Sequence, residues 1–238
     1  MESEVKSPLK VASYNVRAGL GTDLRRDADR AIRLIAGLDA DILALQEADF
    51  RMGQRPAALP PDKLYEATGL RVVPSGKHET SLGWHGIALL HGHGTEVETT
   101  HRLTLPGLEP RGALISDFMT GLGPLRVVAV HLGLLRRSRT AQLGFIDNRL
   151  RELEKRPTVW IGDFNEWSHR KGFDILAGRY TVRRPGATFP SRRPLLALDR
   201  VVHCDAIDVS TGVAPRSKGA QPSDHLPIVA EISVPNRG

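Results

Sequence analysis

The sequence has 238 residues, of which 40% are hydrophobic and 25% are charged. This length and balance suit one large globular domain and exclude a fibrous, low-complexity or disordered chain. The net charge of +6 favours anionic partners, although a solvated arginine-rich surface explains it equally well, and an aromatic content of 5% argues against a stacking platform for single-stranded nucleic acid.

The N-terminus and the single cysteine bear on the compartment. The first residues are charged, with no apolar run of signal-peptide length, and no window reaches the roughly 20 apolar residues of a membrane-spanning helix. Cys204 cannot form an intrachain disulfide, which favours a reducing compartment, and its apolar surroundings favour packing over nucleophilic chemistry. We therefore expect a cytoplasmic monomer, with residues 1–238 as a single domain and residues 1–8 as a flexible tail.

Short apolar, β-branched runs alternate with turn signals along most of the chain. They predict strands at residues 10–16, 42–45, 86–90, 96–103, 113–118, 125–131, 158–161, 197–203 and 228–234. Helical spacing predicts a helix over residues 24–36, with Asp23 as its N-cap and Gly37 as its C-cap. Further helices are predicted over residues 139–151 and, more briefly, 171–176, whereas the Pro- and Gly-rich segments 54–62 and 215–222 are predicted as loops.

Many strands with few helices between them predict an α/β (α+β) fold, a four-layer αββα sandwich of two stacked mixed or antiparallel sheets with helices outside. An internal echo supports this architecture. The first half reads strand, Asn15, helix, strand, Glu47, and the middle reads strand, His131, helix, strand, Asp163, at equal spacing. Two β-helix-β units would thus place a polar residue just past each of four strands, where sites in such sheets gather.

Polar residues stand at the ends of several apolar runs, where a buried carboxylate is costly unless it is paired or bound to a metal. These residues are Asn15, Glu47, His131, Asp163, Asn165, Asp199, Asp224 and His225. Each alone has a structural explanation as a turn residue, a cap, an ion-pair partner or a satisfied interior histidine. Their recurrence at six chain segments favours a shared functional site.

The oxygen-bearing members of this set suit a hard divalent cation. Mg²⁺ prefers oxygen ligands and typically uses one or two carboxylates together with substrate phosphate. Glu47 and Asp224 would supply the carboxylates, with Asn15 nearby. Such a cation neutralises charge that develops on phosphoryl oxygens.

The remaining members suit proton transfer and charge stabilisation. A histidine can take a proton from an attacking water, and an adjacent carboxylate fixes its tautomer. His225 and Asp199 would form that pair. Asn165 and His131 would donate hydrogen bonds to the transition-state oxygens.

Seven motifs occur in order along the chain: SYNVRAG, LQE, EPRGALI, VHLG, GDFN, LDRV and SDHLPI. Together they resemble the endonuclease/exonuclease/phosphatase family, which includes pancreatic deoxyribonuclease, apurinic endonucleases, inositol-polyphosphate phosphatases and bacterial sphingomyelinases. The resemblance runs from about residue 10 to residue 232. It implies the four-layer sandwich and an attack of water on phosphorus that depends on Mg²⁺, with Mn²⁺ as a substitute.

The resemblance also implies roles for the metal and histidine positions. Glu47 matches the family's metal-binding glutamate, and Asn15 matches the asparagine beside it. Asp224 matches the aspartate that contributes to the metal site. His225 matches the catalytic histidine, and Asp199 matches the aspartate that orients it.

Four more residues match positions near the phosphate. Asp163 and Asn165 match the pair that positions the water and stabilises the transition state. His131 matches a histidine of the lipase- and deoxyribonuclease-like branches. Arg111 resembles an arginine of a bacterial subgroup, with a phosphate contact and a structural ion pair as equal alternatives.

Three hypotheses for the function remain open. A phosphodiesterase acting on nucleic acid fits the basic charge, whereas a phospholipid head-group or small-molecule phosphoesterase, sphingomyelinase- or phosphatase-like, fits the absence of DNA-wedging loops. A non-catalytic scaffold that binds anions has no need for the complete set of catalytic residue types. Trp160 and Trp167 flank GDFN and are expected to pack in the core, with Trp167 or His169 lining the cleft as the alternative.

Overall fold

The computed structural model describes residues 7–168 and 171–235. Most of the predicted N-terminal tail and His169 lie outside the described residues. The described strands are β1 Leu9–Asn15, β2 Ile42–Gln46, β3 Arg71–Val72, β4 Ala88–His91, β5 Thr95–Leu105, β6 Arg111–Thr120, β7 Gly123–His131, β8 Thr158–Asp163, β9 Thr181–Arg183, β10 Asp199–His203, β11 Asp208–Val213 and β12 Ile228–Ser233. The described α-helices are α1 Ala28–Ala36, α2 Pro61–Thr68 and α3 Arg136–Glu152.

The strands form two six-stranded mixed sheets, ordered β11-β12-β1-β2-β4-β3 and β5-β6-β7-β8-β10-β9. A central apolar cluster, which includes Val11 and Ile161, fills the space between the sheets. A second cluster packs Ile32 of α1 against the outer face of the first sheet, and a third packs Ile146 of α3 against the second sheet. The layers are therefore helix, sheet, sheet and helix, which confirms the predicted sandwich.

The internal echo corresponds to two equivalent units. Strands β1 and β2 are parallel neighbours joined through α1, and β7 and β8 are parallel neighbours joined through α3. Asn15 pairs with Gln46 at the end of the first unit, and His131 pairs with Asp163 at the end of the second. Because parallel strands end at the same edge of a sheet, each unit delivers its polar residues to one edge.

The nine predicted strands are all present, with ends displaced by one or two residues, and residues 215–222 form the predicted loop. The sequence patterns missed β3, β9 and β11. Strands β3 and β9 are two- and three-residue edge strands, too short to show a period of two. Strand β11 ends in half-buried polar and glycine residues, which weakens its alternation.

The predicted first helix, residues 24–36, begins too early. It starts at Ala28, and its N-cap is Asp27, whose side chain accepts a hydrogen bond from the amide of Arg30. Leu24 has a left-handed φ of 61° and cannot belong to a helix. Gly37 is the C-cap, as predicted.

The other helix predictions also need correction. The helix predicted over residues 139–151 extends to both sides as α3, and the segment 171–176 forms only a three-residue 3-10 turn, Asp174–Leu176. Helix α2 was not predicted, because it begins inside the Pro-rich segment 54–62. Its proline lies in the first turn, where the missing N–H costs nothing, and Gly69 ends the helix with a φ of 70°.

Gly162 allows β8 to deliver Asp163 to the sheet edge. Its φ is 148°, and a Cβ atom added there would lie 2.1 Å from the carbonyl oxygen of Val130 on the neighbouring strand. Only a residue without a side chain fits this close approach. The glycine of the GDFN motif is therefore fixed by backbone packing.

We expect Gly162→Ala to lower the free energy of unfolding by about 2–4 kcal/mol, since the added methyl group meets a backbone carbonyl and the φ is strained. Urea denaturation followed by circular dichroism measures the change. Gly94→Ala is the matched control, because a Cβ at Gly94 meets no atom within 4 Å. Equal midpoints for the two variants would contradict the packing argument.

Candidate active site

A cleft of about 750 Å³ opens at the sheet edges where β1, β2, β7 and β8 end. The predicted site residues that line it are Asn15, Glu47, Arg111, His131, Asp163, Asn165, Asp224 and His225. The remaining predicted residue, Asp199, lies behind His225 and contacts it directly. The fold thus brings all nine predicted residues to one place.

An imidazole lies between two buried carboxylates at the centre of the cleft. Asp199 stands opposite Asp163 in the antiparallel pairing of β10 and β8. Asp199 Oδ2 lies 3.0 Å from Nδ1 of His225 and accepts a 2.5 Å hydrogen bond from Thr188 Oγ1. On the other side of the ring, His225 Nε2 lies 3.6 Å from Asp163 Oδ2. The ring is therefore fixed in orientation between the two acids.

These neighbours set the charge of His225. Burial would by itself lower the pKa of His225, but the negative charges of Asp199, Asp163 and, to a smaller degree, Asp224 raise it to about 10. Burial also raises the pKa of Asp163, an effect opposed by the charge of His225 and strengthened by that of Asp199. The cluster therefore holds a proton close to the cleft.

Asp163 accepts hydrogen bonds from both halves of the molecule. Its Oδ2 atom accepts a 3.1 Å bond from Asn15 Nδ2 on the first sheet, and its Oδ1 atom accepts a 2.9 Å bond from the amide of Asn165. Asn165 has a left-handed φ of 52°, and its Nδ2 donates to the carbonyl of Leu132. Because a side-chain amide carries two N–H groups, one donor of Asn165 has no partner among the described residues and is available to a ligand in the cleft.

His131 and Arg111 form a second, neutral imidazole site. Arg111 Nη1 lies 2.7 Å from Nε2 and 3.1 Å from Nδ1 of His131, and a guanidinium can only donate. Burial, followed by the charge of Arg111, lowers the pKa of His131 well below its ordinary value. Arg111 also forms an ion pair with Glu109, at 2.8 Å, while it lines the cleft. Arg111 therefore forms the structural ion pair and also stays at the cleft wall, where a phosphate contact remains a prediction.

Two carboxylates at the cleft wall remain accessible. Glu47 follows β2 with a left-handed φ of 52°, and its carboxylate lies 3.4 Å from Arg51. Asp224 lies 3.2 Å from Nε of Arg17. Their side chains are 25% and 28% exposed, respectively, and Asn15 Oδ1 accepts the amide of Arg17 nearby. This oxygen-rich set fits a hard divalent cation that keeps part of its water shell.

A different trio forms the most compact group of potential metal ligands. Donor atoms of Asp163, Asp199 and His225 lie within 4.8 Å of one another and all three residues are buried. However, these donors are already engaged with one another, and a cation among them would displace the hydrogen bond between His225 and Asp199. The expectation that Glu47 and Asp224 hold the cation therefore stays a prediction.

Several residues of the site were missed by sequence reasoning. Arg17 lies within the SYNVRAG motif and Thr188 lies in a loop with no pattern around it. Glu166, directly after Asn165, is buried and binds Arg139 of α3 at 2.7 Å, which holds the GDFN loop against that helix. The sequence did contain a signal for this contact, because Glu166 directly follows the GDFN motif and arginines occur in the first turn of α3. Trp167, for which packing was the favoured interpretation, instead lines the cleft and is 61% exposed.

Comparison with known proteins places the chain in a family. The model of the Endonuclease/Exonuclease/phosphatase family matches residues 12–225. The Escherichia coli (strain K12) protein YbhP, named as uncharacterized, is 34% identical over 161 residues, which span 63% of this chain and 63% of YbhP.

Two solved structures share the fold. An endonuclease/exonuclease/phosphatase family protein from Bacteroides thetaiotaomicron has a TM-score of 0.76 at 20% identity, and the match covers 97% of this chain and 98% of that one. A mannosyl-6-phosphatase from Bacteroides thetaiotaomicron VPI-5482 has a TM-score of 0.76 at 19% identity, with 94% and 99% covered. The chain therefore belongs to the endonuclease/exonuclease/phosphatase family, whose members are phosphoester hydrolases.

Proposed function

We propose that the protein is a Mg²⁺-dependent phosphodiesterase, with Mn²⁺ as a substitute, and that nucleic acid is its simplest substrate. The observation that carries this proposal is the position of His225, held by Asp199 at 3.0 Å and facing Asp163 at 3.6 Å, in the same cleft as Glu47 and Asp224. A carboxylate-bound imidazole beside oxygen ligands for a cation suits the attack of water on phosphorus.

Glu47 and Asp224 would hold the cation, with Asn15 beside them. When bound, the cation would neutralise negative charge on the phosphoryl oxygens. A cation at Asp224 would offset the smallest of the carboxylate charges that raise the pKa of His225. A lower pKa would increase the fraction of rings in the neutral form, and only the neutral ring can accept a proton.

The chain's own residues handle the proton. In this role, Asp199 fixes the proton of His225 on Nδ1, which leaves Nε2 toward Asp163 and the cleft. Asp163 orients the attacking water, and His225 accepts its proton as the new phosphorus–oxygen bond forms. The proton then passes to the oxygen of the departing alcohol, so that the products are an alcohol and a phosphomonoester.

Neutral and cationic donors of the cleft stabilise the phosphoryl oxygens. The free N–H of Asn165 and the cation of Arg111 are available as donors, and His131 remains neutral beside Arg111. Donors fixed by their own hydrogen bonds need little reorganisation when charge develops in the transition state. This is the role we propose for Asn165, His131 and Arg111.

A second candidate is a phospholipid head-group or small-molecule phosphoesterase. Exposed apolar side chains, Leu134, Leu135 and Trp167, line one part of the cleft. They would suit a substrate with an apolar portion next to its phosphate. No described helix is long and apolar enough to cross a membrane.

A substrate panel tests the two candidates. We expect purified protein with Mg²⁺ to hydrolyse at least one of plasmid, abasic duplex, single-stranded DNA or RNA. Release of phosphocholine or inorganic phosphate from lipid or sugar phosphates, with nucleic acids untouched, would instead favour the second candidate. Inactivity toward the whole panel with both Mg²⁺ and Mn²⁺ would refute hydrolysis.

We expect His225→Gln to lower kcat by roughly 100- to 10,000-fold, the usual contribution of a general base. Steady-state kinetics on the active substrate measures the loss. His101→Gln is the matched control, since His101 lies on β5 and does not line the cleft. A His225 variant with wild-type kcat would remove the imidazole from the mechanism.

Chelation by EDTA should abolish activity, and either Mg²⁺ or Mn²⁺ should restore it. We expect Glu47→Gln to raise the Mg²⁺ concentration for half-maximal rate by at least about tenfold, because one anionic ligand is lost. Glu66→Gln, on the exposed face of α2, is the control. An unchanged Mg²⁺ dependence in the Glu47 variant would place the cation elsewhere.

A further inference from the structure

A small annex extends the cleft past Glu47. It has a volume of about 140 Å³, and the residues it shares with the main cleft are Glu47, Arg51, Glu109, Arg111 and His131. Since a water molecule occupies about 30 Å³ of liquid, the annex has room for four or five waters. A single tetrahedral oxyanion such as phosphate is of this size.

Two side chains that belong to the annex alone have unsatisfied polar atoms. The Nε atom of Arg55 is buried and has no hydrogen-bond partner in the described part of the chain. The same holds for Nδ1 of His85, whose other nitrogen lies 3.5 Å from the hydroxyl of Thr104. Buried polar atoms are normally hydrogen-bonded, so these two show that neither side chain is fully engaged by the described part of the chain.

Three acids line the annex, Glu47, Asp49 and Glu109, and none of them forms an ion pair with Arg55 in the described part of the chain. Glu47 lies 3.4 Å from Arg51, and the charge of Arg55 only opposes the rise that burial causes in the pKa of Asp49. Asp49 accepts the amides of Leu82 and Gly83, at 2.6 and 3.2 Å. Glu109 is bound by Arg111 and by the amide of Leu134. The charge of Arg55 therefore remains available to a ligand.

A tight turn fixes His85 at the wall of the annex. Trp84 and Ile87 exchange backbone hydrogen bonds of 2.8 and 3.0 Å, and both central residues of the turn have positive φ, 52° for His85 and 82° for Gly86. These are the signs of a type I′ turn, which reverses the chain tightly just before β4. A Cβ at Gly86 would lie 3.6 Å from both Arg55 Nη2 and the Cα of Glu47, so the turn, Arg55 and Glu47 are close neighbours.

We propose that the annex binds a second phosphate group of the substrate, next to the phosphodiester that is cleaved. The proposal rests on the proposed phosphodiesterase function and adds a substrate class: esters that carry a further compact oxyanion. Arg55 is the main electrostatic contact and His85 the neighbouring donor. Burial, followed by the charges of Arg55 and Lys77, lowers the pKa of His85, and an anion in the annex would offset that repulsion. Such a group occurs in a polynucleotide backbone and in a phosphorylated lipid head group.

A binding experiment tests the annex without catalysis. We expect inorganic phosphate to bind the metal-free protein in calorimetry, and Arg55→Gln to weaken the binding at least tenfold. Arg55→Lys should recover part of the affinity, since the charge is kept. His85→Asn should weaken binding without straining the backbone, because asparagine tolerates the positive φ at this position. Arg33→Gln, an exposed arginine of α1, is the matched control. Equal phosphate affinity in the Arg55 and Arg33 variants would overturn the proposal.

A kinetic experiment links the annex to substrate. Thymidine 5′-(p-nitrophenyl phosphate) is compared with its 3′-phosphorylated counterpart. A second pair gives the same comparison without a nucleoside: the p-nitrophenyl phosphate ester of propanol, and the corresponding ester of propanediol with a phosphate on its other hydroxyl. We expect the wild type to show higher kcat/KM for the member with the second phosphate, and Arg55→Gln to reduce this ratio at least tenfold. A preference in both pairs indicates recognition of phosphate alone, and a preference only in the thymidine pair indicates a nucleotide.

The two proposals fail in different ways. Phosphate binding that depends on Arg55, with no ester hydrolysed, would refute the phosphodiesterase function and leave the annex as an anion site. Ester hydrolysis with the same substrate ratio in wild type and Arg55→Gln would refute the annex and leave the function.

Discussion

The structure depends on how the buried carboxylate of Asp163 is satisfied. It lies beside a second buried carboxylate, Asp199, and two acids removed from water destabilise a fold unless positive charge and donors surround them. His225 lies between them, and Asn15 and the amide of Asn165 complete the shell of Asp163. Because Asn15 belongs to the other sheet, the two sheets must meet correctly at this edge for the cleft to form.

The equivalence of the two β-helix-β units explains where the polar residues lie but not their chemistry. Asn15 and Glu47 end the first unit, and His131 and Asp163 end the second. On the first side the carboxylate of Glu47 is partly exposed and pairs with the exposed side chain of Arg51, which suits a hydrated cation. On the second side the carboxylate is buried against imidazole. One architecture thus provides two different halves of a phosphoester site.

The two histidines show how surroundings divide roles between identical side chains. His225 faces carboxylates on both ring nitrogens, and its pKa is raised to about 10. His131 lies 3.5 Å from Asp163 but also contacts the guanidinium of Arg111, and burial, followed by that charge, lowers its pKa well below the ordinary value. One ring can hold a proton close to the cleft, whereas the other stays neutral. Neither state follows from sequence spacing, because each is imposed by partners from distant segments.

Sequence patterns alone predict the layered fold, the nine main strands and the residues that gather at the cleft, because alternation and polar strand ends follow from burial in a sheet. The single-domain, monomer and cytoplasmic expectations stay predictions. Helix α2, the start of α1 and the short edge strands required tertiary contacts, since local propensity is weak there. Only the tertiary structure placed Thr188 against Asp199, Glu166 against Arg139 and Arg55 in the annex. Those partners are far apart along the chain, and no sequence period encodes which polar atoms burial will leave without a partner.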